Sequence, residues 1–329
     1  MVKIKDIAKL AQVSASTVSR VLNRDPSFNV LEDTRRKVLE VAEQLGYKTV
    51  VERYNKKNFR IALVFVPTTF KSQIDNYFHF SIRSGIENIC SKYEMDLIST
   101  FNPASLADPI HGAIILGNYL NTEIEEMASA LSTDNIVIIG RNPDPNKYDS
   151  VWFDTKGAVY SALDYLTSIG HEQIAFVGAR ENRDIAEEDR RDQHFLRYMS
   201  KFPGFDPRRI YIGEHGKQNG YRLMEQVYQD GPSPTALFIG NDPTALGALD
   251  FLKEKNVEIP HQVSIVSFDG HELTGYTNPP LTNVQIPTEY MGQTAVVTLI
   301  ERIEEVRTLR KKVLVPTQLI VRESCRKLN

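Results

Sequence analysis

The 329-residue sequence predicts an α/β protein built as a small three-helix head on a larger body of parallel sheets. Three observations predict it. The length exceeds one typical domain and suits two or three compact units. The hydrophobic period changes near residue 60, from helical spacing to short β-branched runs alternating with amphipathic helices. Charge is divided in the same place. Residues 1–60 carry 13 Lys+Arg against 7 Asp+Glu, and the remainder 26 against 35, so a head of +6 precedes a body of −9.

The head reads in order as follows. Ile4, Ile7, Ala8 and Ala11 recur on one helical face. Gln12-Val13 fills a tight turn, and Ser14 stands where an N-cap belongs. A second helix runs from Ala15 to Asn23 with Val18, Val21 and Leu22 turned inward. A loop with Asp25, Pro26 and Ser27 precedes a third helix from about Leu31 to Leu45, whose inner face is Val38, Val41, Ala42 and Leu45 and which Gly46 ends. Two helices on a short turn, braced by a third, form a helix-turn-helix. Residues 47–59 read as a charged linker.

Beyond it, strands are expected at Ile61–Val66, Ala113–Leu116, Ile136–Ile139, Ile174–Val177, Ala236–Ile239 and Ser264–Phe268. Helices are expected near 78–92, 157–169, 187–200, 217–229, 243–255 and 289–306. Such alternation means βαβ units and parallel sheets covered on both faces. The number of strands calls for two similar lobes with a cleft between them.

Several classes of protein are disfavoured. No apolar run approaches the roughly 18 residues of a membrane span, and the start lacks the apolar core of a signal peptide. A cytoplasmic location and no membrane partner are therefore expected. Cys90 and Cys325 form no CxxC or Cys/His cluster, so neither a disulfide framework nor a zinc site is indicated, and no metal or cofactor is expected. There is no Gly-rich phosphate loop, GxSxG or HExxH, and an enzyme is not expected.

In a helix-turn-helix the start of the second helix enters the major groove. With Val18, Val21 and Leu22 inward, Ala15, Ser16, Thr17, Ser19 and Arg20 remain for the outer face. Hydroxyls suit phosphates or base edges, an Ala or Thr methyl suits a thymine methyl, and Arg grips guanine bidentately. Arg20 leads as a base reader, set against an ordinary surface ion pair. Ser14 either caps its helix alone or also touches phosphate.

In the body, polar residues follow predicted strands: Arg141-Asn142, Asn241-Asp242 and Asp269. In parallel sheets, ligands bind beyond the carboxyl ends of the strands. A sugar needs fixed donors and acceptors for its hydroxyls and aromatics against its apolar face. Asn241 and Asp269 offer acceptors. Either Arg190 or Arg191 offers a forked donor. Asp242, just before Pro243 and a helix, reads as an N-cap rather than a ligand. Trp152 reads as packing.

Lys5-Asp6-Ile7-Ala8, Val13 through Asn23, and Thr34-Arg35-Arg36-Lys37-Val38 leading to Leu45-Gly46-Tyr47 resemble the head of the LacI/GalR family of bacterial repressors. The resemblance continues through Ser168–Gly178, Pro234–Ala248, Val263–Asp269 and Pro279–Thr282. It implies that Ala15, Ser16 and Arg20 read bases, while Ser14, Thr17, Ser19, Asn23, Thr34 and Tyr47 hold the DNA backbone. It implies a periplasmic-binding-protein-like body with an effector site of Arg191, Asn241 and Asp269. His215 would supply a pocket ring and Tyr77 and Phe78 the opposite wall; Arg141 joins the site on its strand-end position.

The implied division is a head at 1–46, a linker at 47–59 and a body at 60–329. One lobe would hold roughly 60–156 with 286–312, the other 157–285 with 313–325. The linker departs from the family pattern. Thr49 and Val50 stand where Pro-Asn is usual, and no leucine occurs between Gly46 and Leu63 to wedge the minor groove.

The implied function is allosteric repression of a sugar operon by a homodimer on a near-palindromic operator. The Asp25–Val30 loop and the Tyr47-Lys48-Thr49 segment look most like repressors of galactose and β-galactoside operons. The alternatives are a global carbon-catabolite regulator with a phosphoprotein corepressor and a sugar-binding transport component.

Overall fold

A computed structural model describes residues 4–22, 30, 32–45, 47, 59–65, 73–117, 119–179 and 190–328. The chain divides into two compact units at Asn58/Phe59, apart from a short return of residues 90–96 to the first. In the first, α1 (Ile4–Ala11), α2 (Ala15–Leu22) and α3 (Glu32–Gln44) enclose Ile7, Ala11, Val18, Val21, Val38 and Ala42. Gln12 takes φ +58, the left-handed geometry that lets one residue reverse the chain between α1 and α2. Tyr47 packs on this core and donates its backbone N–H to the Ala42 carbonyl at 2.8 Å. Asn23 and nearly all of the expected linker lie outside the described residues.

The second unit contains β1 (Arg60–Val64), α4 (Gln73–Lys92), β2 (Asp96–Thr100), β3 (Gly112–Leu116), α5 (Asn121–Ser129), β4 (Ile136–Ile139) and β5 (Asp149–Phe153). These are followed by α6 (Thr155–Ser168), β6 (Ile174–Ala179), α7 (Arg191–Met199), β7 (Ile210–Gly213), α8 (Lys217–Gln229), β8 (Ala236–Ile239), α9 (Asp242–Glu254) and β9 (Ser264–Asp269). The order ends with β10 (Thr282–Gln285), α10 (Thr288–Ile303), β11 (Lys312–Val315) and β12 (Gln318–Ile320).

There are two six-stranded sheets, ordered β11-β5-β4-β3-β1-β2 and β12-β10-β9-β8-β6-β7. The chain crosses between them after β5, after β10 and between β11 and β12. Two details refine the expectation. The sheets are not wholly parallel, because β12 pairs antiparallel with β10. The last crossing falls between Val315 and Gln318, not at residues 312–313, because Lys312–Val315 pairs in parallel with Ser150–Phe153 of the first sheet. Arg307 fixes the approach to β11 with a two-pronged grip on the buried Asp149 carboxylate, at 2.8 and 2.7 Å.

Each sheet is apolar on both faces, as parallel strands require. In the second sheet, Ala175, Val177, Leu237, Ile239 and Ile265 face α8 and α9. Those helices cross closely: a Cβ on Gly247 would lie 1.9 Å from the Lys217 carbonyl oxygen, so only glycine fits. The alternate residues Phe176, Phe238 and Phe268 form a ring column on the opposite face, with centroids 5.7 and 6.1 Å apart. The column continues to Phe153 of the first lobe, 6.1 Å from Phe268, and so leads into the region between the lobes.

Candidate nucleic-acid interface and ligand cleft

The start of α2 presents polar groups outward because its apolar stripe is buried. Val18 and Val21 are buried, whereas Ala15, Ser16 and Arg20 are exposed and Thr17 and Ser19 half-buried. Ser14 is the N-cap: its Oγ accepts from the Thr17 backbone N–H at 3.0 Å and lies 2.9 Å from Thr17 Oγ1. Thr34 is half-buried in the first turns of α3, and Tyr47 is held against the core. The exposed hydroxyls, the forked cation of Arg20 and the capped helix start suit phosphates and base edges.

Capping and phosphate contact can be separated at Ser14. Ser14→Ala removes the cap and is expected to cost about 1 kcal/mol of head stability, read from thermal unfolding. Ser14→Asp keeps a good cap but sets a charge against phosphate. It is expected to preserve stability and weaken DNA binding. Equal DNA affinity for Ser14→Asp and the parent would remove phosphate from this residue's role.

The cleft residues stand where strand ends meet helix starts. Arg191 opens α7. One guanidinium nitrogen lies 3.0 Å from an Asp269 carboxylate oxygen, and another donates to the Gly240 carbonyl. The guanidinium carbon sits 4.1 Å from the Phe268 ring centroid and 5.9 Å from that of Phe153. Both ion-pair partners are about one-fifth exposed, at 22% and 21%, so they meet in a partly dry environment. Arg190, the alternative left open by the sequence, turns instead to Asp192 at 2.9 Å.

Asn241, 3% exposed, caps α9 by accepting from the Thr244 N–H at 2.8 Å. Its amide nitrogen lies 3.4 Å from His215 Nδ1. Asp269 carries φ +106, a backbone conformation that non-glycine residues rarely hold. Such strain persists where surrounding contacts enforce it, often at ligand clamps.

Across the cleft, Tyr77 packs against His271, with ring centroids 3.9 Å apart and the planes tilted by 41°. Phe78 lies 6.5 Å from Phe153 and 6.1 Å from Trp152. Three aromatic contacts therefore tie α4 to the second lobe and to the floor of the cleft. Arg141 follows β4 at the carboxyl end of the first sheet and is half-buried.

Sequence reasoning missed three groups. Phe153 and Phe268 flank Arg191, and His271 packs against Tyr77. Only the strand-end position of Phe268 signalled one of them. It also misread Asp242. Asn241 is the cap, whereas Asp242 is a buried carboxyl accepting from the His271 N–H at 2.7 Å and from Asn283 Nδ2 at 2.6 Å.

Burial, and then the nearby charge of Asp269, push the Asp242 carboxyl up to about 8. Burial also raises Asp269, with Arg191 opposing the shift. A carboxyl whose pKa is higher in the folded chain than in the unfolded one stabilises the fold in its protonated form. That contribution is complete below about pH 4 and is lost as pH rises through about 8. The unfolding midpoint is therefore expected to fall between about pH 5 and 8, with a flatter slope in Asp242→Asn. Identical slopes would show that the pair does not govern the dependence.

Among the described residues, no helix is long and apolar enough to cross a membrane. Residues 3–49 match the family model described as bacterial regulatory proteins, lacI family, and residues 163–325 match the periplasmic binding protein-like domain. The chain is 36% identical to the HTH-type transcriptional repressor MelR of Bacillus subtilis (strain 168), covering 99% of this chain and 98% of that protein. It is 34% identical to the HTH-type transcriptional regulator GanR of the same organism (98% and 99%), and 30% identical to GalR of Streptococcus thermophilus (98% and 99%). In fold it resembles a CelR–cellobiose complex, with TM-score 0.71, 24% identity and coverage of 98% and 100%. It also resembles a lac repressor dimer bound to operator and the anti-inducer ONPF, with TM-score 0.69, 21% identity and coverage of 99% and 99%.

Proposed function

The chain belongs to the LacI family of bacterial regulatory proteins, and on that premise we propose that it is a cytoplasmic, sequence-specific DNA-binding repressor of a sugar-utilisation operon. It acts as a homodimer on a near-palindromic operator and answers to a small sugar, a galactose or galactoside, held between its lobes. It works by binding and not by catalysis.

The observation that carries the reading is the joining, in one chain, of an outward-facing capped recognition helix and a cleft with a poised donor–acceptor pair. Arg191 offers forked N–H donors and Asp269 acceptor oxygens, with Phe153 and Phe268 supplying ring faces. A sugar hydroxyl set between Arg191 and Asp269 receives a donor from one and an acceptor from the other. Phe153 belongs to the first lobe and Arg191 to the second, so a ligand touching both favours one lobe orientation. DNA and sugar then bias the same equilibrium, and the coupling is reciprocal. Ala15, Ser16 and Arg20 read bases, while Ser14, Thr17, Ser19, Asn23, Thr34 and Tyr47 hold the backbone. Tyr77, Phe78, Arg141, His215 and Asn241 complete the sugar site. The galactoside assignment is supported by the Asp25–Val30 loop and by the GalR relative.

The DNA arm is tested by salt. Binding of the full chain to DNA upstream of its own gene is expected to weaken steeply with ionic strength, with a slope of about −0.9 per neutralised phosphate. A flat dependence would remove DNA from the account.

A further inference from the structure

We propose that a second small-molecule site lies where the two lobes are joined, distinct from the sugar cleft, and that it takes a small organic anion: a sugar-sized ring bearing a phosphate or carboxylate. A cavity of about 320 Å³ occupies this position, at the lower end of the roughly 300–1,000 Å³ of small-ligand pockets. The first lobe contributes Trp152 and Phe153 at the end of β5 and Lys312 and Leu314 on the edge strand β11. The second contributes Lys156 on α6, and Gln193, His194 and Arg197 on α7. Asp154, between them, is the crossover itself.

The charge is what selects an anion. Lys156, Arg197 and Lys312 converge on the cavity from three elements, and all three are exposed at its rim. The body around them carries a net negative charge. Among the described lining residues the carboxylate is Asp154, which caps α6 by accepting from the Gly157 N–H at 2.9 Å. Three cations at the rim suit phosphate or carboxylate oxygens. The indole of Trp152 offers a flat face for a ring, and the Gln193 amide can both donate and accept.

The site shares parts with the cleft without being part of it. Arg191, at the start of α7, turns to Asp269, whereas Gln193, His194 and Arg197 of the same helix line the second cavity. Phe153 lines the cavity and also stands 5.9 Å from the Arg191 guanidinium carbon. Because its walls come from both lobes, the cavity changes shape whenever the lobes move. An anion held there biases their orientation and hence the sugar response. The inference needs the two-lobed body, but neither DNA binding nor the identity of the sugar.

Trp152 is the sole tryptophan of the chain and borders both this cavity and the cleft floor, so its emission reports a ligand in either, and Asp269→Asn separates the two. The full chain is titrated with ribose 5-phosphate, glucuronate, inorganic phosphate and neutral glucose. Ribose 5-phosphate, glucuronate or both are expected to give a saturable change, at least tenfold tighter than inorganic phosphate. In Arg197→Gln/Lys312→Gln the same titration is expected to weaken at least tenfold, whereas in Asp269→Asn it is expected to be kept. Whichever ring anion responds names the anionic group. No saturable response to either, equal affinity for inorganic phosphate, equal affinity in the double variant, or loss in Asp269→Asn would each overturn the proposal. The last would place the anion in the sugar cleft.

Discussion

Asp269→Asn is expected to lower sugar affinity by about tenfold to a hundredfold while operator affinity in the absence of sugar stays within about twofold of the parent chain. The magnitude follows from a hydrogen bond to a charged acceptor, worth about 1.5–3 kcal/mol. It also follows from the ion pair: Arg191 loses the carboxylate 3.0 Å away, and a partly buried cation left without its partner is costly. Asparagine is the informative replacement. Asp269 holds φ +106, which Asn tolerates better than Ala or a branched residue. A defect in Asp269→Asn therefore reports on chemistry and not on a broken turn. Isothermal titration with sugar, beside operator titration, reads both quantities. Normal sugar affinity would move the ligand away from Arg191 and Asp269.

Arg20→Ala is expected to erase most discrimination between operator and random DNA, by about tenfold to a hundredfold per half-site. A bidentate arginine–guanine contact carries about 1–3 kcal/mol of base discrimination. A dimer reading two half-sites doubles that loss in free energy. Non-specific binding survives, with a slightly shallower salt slope, because the remaining backbone contacts carry it. Arg36→Ala is the control. Arg36 pairs with Asp33 at 2.9 Å and with Glu40 at 3.8 Å on the exposed side of α3, and its removal is expected to leave discrimination unchanged. Equal loss in both variants would reduce Arg20 to one more positive charge.

The head was legible in the sequence because its signals are local. Ile7, Ala11, Val18 and Val21 repeat at helical spacing, and Ser14 stands one residue before the helix it caps. The β-branched runs at Ile136–Ile139 and Ala236–Ile239 announced themselves as buried parallel strands. The strands at Asp149–Phe153, Ile210–Gly213 and Thr282–Gln285 did not, being short and interrupted by polar or small residues. The helix Asn121–Ser129 was passed over for a similar reason, since its buried face is only Ile124, Met127 and Ala128.

In the cleft, Arg191, Asn241 and Asp269 could be named from the motifs around them. The aromatic faces could not, because Phe153 meets Phe268 across more than a hundred residues of intervening chain. Asp242 was misread for a related reason. Its neighbours fit a cap, and only the tertiary contacts with His271 and Asn283 make it a buried carboxyl. Local grammar places elements and strand-end polar groups; contacts between lobes lie beyond its reach.

The central claim is that one cleft ligand and one operator share a single lobe equilibrium. It is tested most directly by measuring affinity of the full chain for DNA upstream of its own gene, with and without saturating galactose or galactosides, in the parent and in Asp269→Asn. The account predicts specific binding that one of these sugars shifts by about fivefold or more, consistent with coupling of roughly 1–3 kcal/mol, and that no longer responds in Asp269→Asn. Specific binding indifferent to every galactoside, or a response that survives intact in Asp269→Asn, would contradict it.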